Sequence, residues 1–225
     1  MSRFEPLEAN AVRVPVAGIH LNGDLATTPA CTGLVLFAHG SGSSRHSPRN
    51  KFVAHVLERR GFATLLVDLL TPDEDRTDRV TAEHRFDIPL LAERLTAVVD
   101  WLRNQRDTAR LPAGLFGAST GAAAAVITAA DRPHSVAAVV SRGGRPDLAG
   151  HALPRVTAPT LLIVGGKDIE VMRVNRAAMA QMHGRAALEI VDGATHLFEE
   201  AGALSTVAEL ASDWFENHLR PHPEG

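Results

Sequence analysis

Apolar and polar positions alternate near the start of this 225-residue chain and then gather into solid blocks. Val12, Val14 and Val16 alternate with Arg13 and Pro15, the two-residue period of a half-exposed strand, and the proline suits a sheet edge. Gly18–Leu25 reads as a partner strand, with Asn22-Gly23 as a turn signal. After it come short continuous apolar runs: Leu34–Ala38, Ala63–Val67, Gly114–Phe116, Val136–Val140, Thr160–Val164 and a more mixed Ala187–Val191. Helical periodicity fills the intervals, predicting helices from Pro48 to Gly61, from Ile88 to Gln105, from Ser119 onward, over Val171–Met182 and over Leu204–Leu219. Strands buried on both faces read as unbroken apolar runs, and their alternation with helices signals a parallel sheet. The expected fold is therefore α/β: a doubly wound, mostly parallel sheet of about eight strands with an antiparallel N-terminal edge. No linker-like stretch divides it, so residues 1–225 read as one domain. In such sheets function sits beyond the carboxyl ends of the strands.

Composition removes several function classes. The hydrophobic fraction is 45% and the charged fraction 22%, which excludes a disordered chain. Lys+Arg 23 against Asp+Glu 26 leaves a net charge of −3, without the basic footprint of a nucleic-acid binder. Aromatic residues make up 4% and tyrosine is missing, so stacking platforms for bases are few. Cys31 is the sole cysteine, which excludes an intrachain disulfide or a Cys-based zinc site. No run approaches a membrane span, and the opening MSRFEPLEANAVRVPV lacks the apolar core of a secretory signal. The expectation is a cytoplasmic protein with no membrane or nucleic-acid partner; composition sets no oligomeric state.

The loops after the apolar runs carry the chemistry. Gly117-Ala118-Ser119-Thr120-Gly121 stands between a strand and a helix-forming alanine run. This G-x-S-x-G spacing suits a turn so tight that the serine points its hydroxyl outward, at a helix N-terminus where negative charge is favoured. The plain alternative is a glycine-rich turn with Ser119 as an N-cap. After Thr160–Val164 comes Gly165-Gly166-Lys167-Asp168, where Asp168 either caps a helix or reaches across the strand ends. After Ala187–Val191 comes a polar loop containing His196. The order Ser119, Asp168, His196, each behind a different strand, is that of a nucleophile–acid–base set in an α/β hydrolase. Glu170 and Asp147 stand in reserve as the acid. The loop after Leu34–Ala38, His39-Gly40-Ser41-Gly42-Ser43-Ser44-Arg45, is glycine-rich. Acyl transfer needs N–H donors for its oxyanion, and the backbone amides of Ser41 and Thr120 are the candidates. His39 reads as a residue that packs this loop.

FAHGSGSSRHSPRN, GLFGASTGAAAA, VGGKD and GATHLFEE together resemble the α/β-hydrolase superfamily, and within it the small dienelactone-hydrolase-like group. The resemblance runs from about residue 12 to 219. It departs from the founding members at the nucleophile, where they use cysteine and this chain has Ser119; Cys31 lies far from the strand ends. The resemblance therefore implies a serine esterase-like enzyme acting on small-molecule esters. Residues 141–159, between the runs that precede the acid, are too few for the cap domain many relatives insert.

These readings combine into a mechanism that needs no cofactor or metal: Ser119 attacks a carbonyl, His196 moves the proton, Asp168 orients His196, and Ser41 and Thr120 hold the oxyanion. Arg45 and Arg142 follow strand ends; they are candidate substrate-binding residues for an anionic group, a preference that dienelactone-like substrates would share, or else they pair with local acids such as Asp68 or Asp147 and hold loops in place. Rival readings are an acyltransferase or cofactor-free perhydrolase on the same fold, and a non-catalytic binding scaffold.

Overall fold

The computed structural model describes residues 7–219; the first six residues of the stretch read for a secretory signal lie outside them. Strand β1 (Ala9–Val16) turns directly into β2 (Ile19–Ala26) through Ala17 and Gly18, both at positive φ (43° and 84°). That is the backbone a two-residue hairpin requires. The expected Asn22-Gly23 turn is corrected: both residues lie inside β2. Gly23 is there for close packing, because a Cβ on it would stand 3.0 Å from Leu65 Cδ1 and 3.1 Å from Val12 Cγ2.

Six more strands follow: β3 (Gly33–Ala38), β4 (Phe62–Val67), β5 (Ala113–Ala118), β6 (Val136–Arg142), β7 (Thr160–Gly165) and β8 (Ala186–Val191). The sheet order is β1-β2-β4-β3-β5-β6-β7-β8. β1, β2 and β4 pair antiparallel, and every later pairing is parallel. This is the expected doubly wound sheet with its antiparallel N-terminal edge.

The two-residue period of the strands divides the core. Leu34, Leu36, Leu115 and Val139 face helices α3 (Ile88–Leu102), α4 (Thr120–Asp131) and α5 (Ile169–Met179). Val35, Phe37, Phe116 and Val140 face α1 (Pro48–Arg59) and α6 (Ala203–Leu219). Helix α2 (Pro72–Thr81) was not expected. Between β6 and β7 the chain forms only a short 3₁₀ segment, Pro146–Arg155, so no cap domain is inserted there. Among the described residues no helix is long and apolar enough to cross a membrane.

Candidate active site

β5 ends in the centre of the sheet, and the chain reverses at once into α4. Ser119 occupies that reversal at φ 51°, ψ −120°. Left-handed backbone is costly for a residue with a side chain, so the surroundings must impose it. They do so by crowding. A Cβ on Gly117 would lie 2.4 Å from Ala122 Cα, and one on Gly121 would lie 2.3 Å from Ala38 O. Only glycine lets helix, strand and neighbouring loop approach this closely. Ser119 stands at the N-cap position, yet its side chain makes no capping bond, so the hydroxyl is not spent on the helix. Its carbonyl accepts from Ala122 and Arg145, and its N–H donates to Arg142 O at 3.3 Å.

Asp168 and His196 meet across the ends of β7 and β8. His196 Nδ1 donates to Asp168 Oδ2 at 2.7 Å, which leaves the Nε2 lone pair available. The other oxygen, Oδ1, accepts the Val171 N–H at 3.4 Å and caps α5. The loop after β6 packs on the histidine loop: a Cβ on Gly143 would stand 3.1 Å from His196 O and 3.6 Å from His196 Cε1. The reserve acids are engaged elsewhere. Asp147 takes both Nε (2.8 Å) and Nη2 (2.7 Å) of Arg145, and Glu170 takes Arg173 at 2.7 Å.

The glycine-rich loop packs on the nucleophile; a Cβ on Gly40 would be 2.9 Å from Ser119 Cβ. Ser41 Oγ lies 3.0 Å from Thr120 Oγ1 and donates to Arg85 O at 3.2 Å, so the two candidate oxyanion residues adjoin. Thr120 opens α4, so its N–H has no helical acceptor. His39 pins the loop from below: its Nε2 accepts from Leu69 N at 3.0 Å, and its Nδ1 lies 3.0 Å from Gly40 O. Burial lowers its pKa and keeps the ring neutral, with both nitrogens occupied.

The two candidate substrate arginines differ sharply. Arg45 pairs with Asp68 and with Asp24 (3.4 Å), while its backbone N–H donates to Asp68 Oδ1 at 2.7 Å. Its charge holds the loop. Arg142 is buried and meets no acid among the described residues. Burial, and then the charge of Arg49, lower its pKa to about 10. Sequence reasoning missed Arg49, although a cation in the first turn of α1 opposes the helix dipole and was a readable signal. It also missed Asp78. Burial pushes that carboxyl up, but the Arg85 and His84 N–H groups and the Arg85 side chain hold it below its ordinary value. Asp78 thereby fixes the segment whose carbonyl receives Ser41.

Among the described residues no cluster of three His, Cys, Asp or Glu side chains forms a metal site. The family model described as alpha/beta hydrolase fold matches residues 33–165, from the start of β3 to the end of β7. The crystal structure of a dienelactone hydrolase from Anabaena variabilis superposes with a TM-score of 0.94 at 55% identity, covering 96% of this chain and 100% of that one. Est1E from Butyrivibrio proteoclasticus shares the fold at 18% identity, with a TM-score of 0.77 over 92% of this chain and 98% of that one. Two Mycobacterium tuberculosis proteins, provisionally named phosphoribosyl transferases, are 56% identical over 221 residues. That match covers 98% of this chain and 49% of theirs, so the chain spans about half the length of these curated relatives. A strained serine at the end of a central strand, a matching family model and close likeness to a dienelactone hydrolase agree: the chain belongs to the alpha/beta hydrolase family.

Proposed function

We propose that this chain is a serine hydrolase that cleaves small-molecule carboxylic esters through an acyl-enzyme intermediate. The observations that support the reading are a Ser119 held at φ 51° without a capping bond and a His196 whose Nδ1 lies 2.7 Å from Asp168 Oδ2. Ser119 Oγ adds to the ester carbonyl as His196 Nε2 takes its proton. The carbonyl oxygen gains the negative charge and is held by the Ser41 and Thr120 N–H groups. His196 then protonates the leaving alkoxide, and the ester C–O bond breaks. A water attacks the acyl-Ser119 by the same route, releasing the acid and restoring the serine. Asp168 stabilises the imidazolium that forms twice in each cycle.

The phosphoribosyl transferase name of the curated relatives describes polypeptides of which this chain spans about half. The geometry of this half supports hydrolysis. Acyl transfer to an alcohol or peroxide uses the same acyl-enzyme and differs only in the acceptor, so product analysis with competing alcohol separates the two. The primary test is a fluorophosphonate probe on the folded protein. Wild type is expected to acquire one label, mapped to Ser119, and Ser119→Ala none. A folded wild type that stays unlabelled and inert toward aryl esters would count against the reading.

A further inference from the structure

The end of the sheet opposite Ser119 carries a cleft of about 460 Å³. It opens where β5 and β6 begin and α6 ends, against Ala113, Val136 and Leu219. The length of β5 separates it from the serine turn, a distance of about 20 Å at about 3.3 Å per residue. Four basic side chains line the cleft, Arg103, Arg110, His134 and His218, and among the described residues no Asp or Glu does. The first three are exposed and His218 is half-buried.

Basic residues are expected at this end for a plain reason. The helices of an α/β sheet return to where the next strand starts, so their carboxyl ends gather here, each worth about half a negative charge. Arg60 ends α1 and Arg132 ends α4, and both are also paired with acids: Arg60 with Glu209 at 2.5 Å and Glu216 at 3.2 Å, Arg132 with both oxygens of Asp100 at 2.8 Å. Arg103 ends α3 in the same way, yet meets no acid among the described residues. His218 lies in the last turn of α6. Those two offset the ends of α3 and α6. Arg110 and His134 belong to no helix, and Arg110 too lacks an acid among the described residues. The cleft therefore holds more positive charge than the fold requires.

We propose that this cleft is a binding site for a phosphate monoester of a small, sugar-sized alcohol, remote from the candidate active site. A phosphate monoester carries about −1.5 to −2 at pH 7, which two guanidinium groups match better than they match the single charge of a carboxylate. Its oxygens accept the guanidinium forks of Arg103 and Arg110. The volume equals the share of about fifteen waters, several times what a phosphate alone needs. Pro112, Pro133 and Leu219 supply apolar wall for the organic part. The site goes beyond the hydrolase reading and does not depend on it.

The test is an NMR titration of the folded protein with glucose 6-phosphate, inorganic phosphate, gluconate and glucose. Glucose 6-phosphate is expected to bind saturably, to shift the His134 and His218 resonances and to leave those of His196 unmoved. Inorganic phosphate and gluconate should bind several-fold more weakly, and glucose should not bind. Arg103→Gln and Arg110→Gln, both at exposed positions, should each weaken glucose 6-phosphate by about 3- to 10-fold. Arg106→Gln, in the same turn but outside the cleft, should leave it unchanged. Ser119→Ala should bind like wild type, whether or not the protein turns over esters, so failure of the hydrolase reading leaves this test intact. The proposal is overturned by the absence of saturable binding, by shifts centred on His196, or by an equal loss in Arg106→Gln, which would mark a general surface field. Inorganic phosphate binding as tightly as glucose 6-phosphate would overturn the monoester assignment, and gluconate binding as tightly would overturn the preference for phosphate.

Discussion

Asp168 divides its two oxygens between a helix cap and a histidine. Oδ1 caps α5, while Oδ2 orients His196. From sequence these were competing readings; in the structure one carboxylate satisfies both, because the strand end that starts a helix is also the edge that faces the neighbouring loop. Asp168→Asn can retain an oxygen for the cap yet no longer favours the productive histidine tautomer. It is expected to lower kcat by about 10³- to 10⁴-fold with little change in Tm, a split that steady-state kinetics and thermal unfolding would read together. Ser119 shows the reverse trade. Its left-handed backbone stores strain of order 1 kcal/mol that a glycine would release. Ser119→Gly should therefore abolish turnover, by about 10⁴-fold or more, while raising Tm by about 2 to 4 °C. A fall in Tm would mean that the hydroxyl stabilises the turn, and the positive φ of Ser119 would need another explanation.

At the scale of elements, hydrophobic rhythm was enough where burial is two-sided and failed where it is absent. The blocks that became β3 to β7 are buried and unbroken, so their positions were readable to within a few residues. Helix α2 carries no such rhythm: Asp78 is its one buried residue. Its signal lay in its caps, Thr71 with Glu74 three residues on and Pro72 between, a reciprocal capping box that apolar periodicity does not register. The hairpin was misplaced for a related reason. Asn-Gly is the stronger turn signal, but β2 must also pair with β4, and that second partner holds Asn22-Gly23 inside the strand. What anchors α2 is ionic. Arg94, nearly buried on α3, donates to Glu74 at 2.6 and 2.7 Å and to Leu69 O at 2.8 Å. The Arg94 side chain, with the Thr71 N–H behind it, brings the Glu74 carboxyl down to about 2, against some burial that raises it. An acid depressed on folding adds stability that is full above its unfolded value, near 4.5, and drains away as pH falls toward 2. Unfolding free energy should decline across that window in wild type, and the decline should shrink in Arg94→Met. At neutral pH the same substitution should cost about 2 to 3 kcal/mol, less than a fully buried pair because Glu74 keeps some solvent.

At the scale of the whole molecule, the sheet order brings residues 119, 142, 168 and 196 to one edge from four consecutive strands, β5, β6, β7 and β8. That Ser119, Asp168 and His196 each follow a different strand was legible, because the doubly wound topology permits few other arrangements. Which arginine stays unpaired was not legible, since that depends on acids brought in by β2 and β4 from far along the chain. The same topology leaves the edge uncovered between β6 and β7, where the 3₁₀ segment takes the place of a cap. Large apolar side chains stand exposed next to the candidate residues: Ile169 beside Asp168, Leu197 beside His196, and Phe86 beside Arg85. An acyl chain laid along any of them, under the proposed esterase reading, would be covered on one side and leave its other side in water. A methylene enclosed on all sides gains about 0.8 kcal/mol, or roughly 4-fold in kcat/KM. On an open wall about half of that area is removed from water, so the gain should be about 2-fold per methylene while the chain covers the wall and should stop beyond it. A series of p-nitrophenyl esters from acetate to laurate reads this directly. A steady 4-fold rise through the long chains would mean that an enclosed tunnel forms around the substrate, and the segment 146–155 would be the place to look for its closure.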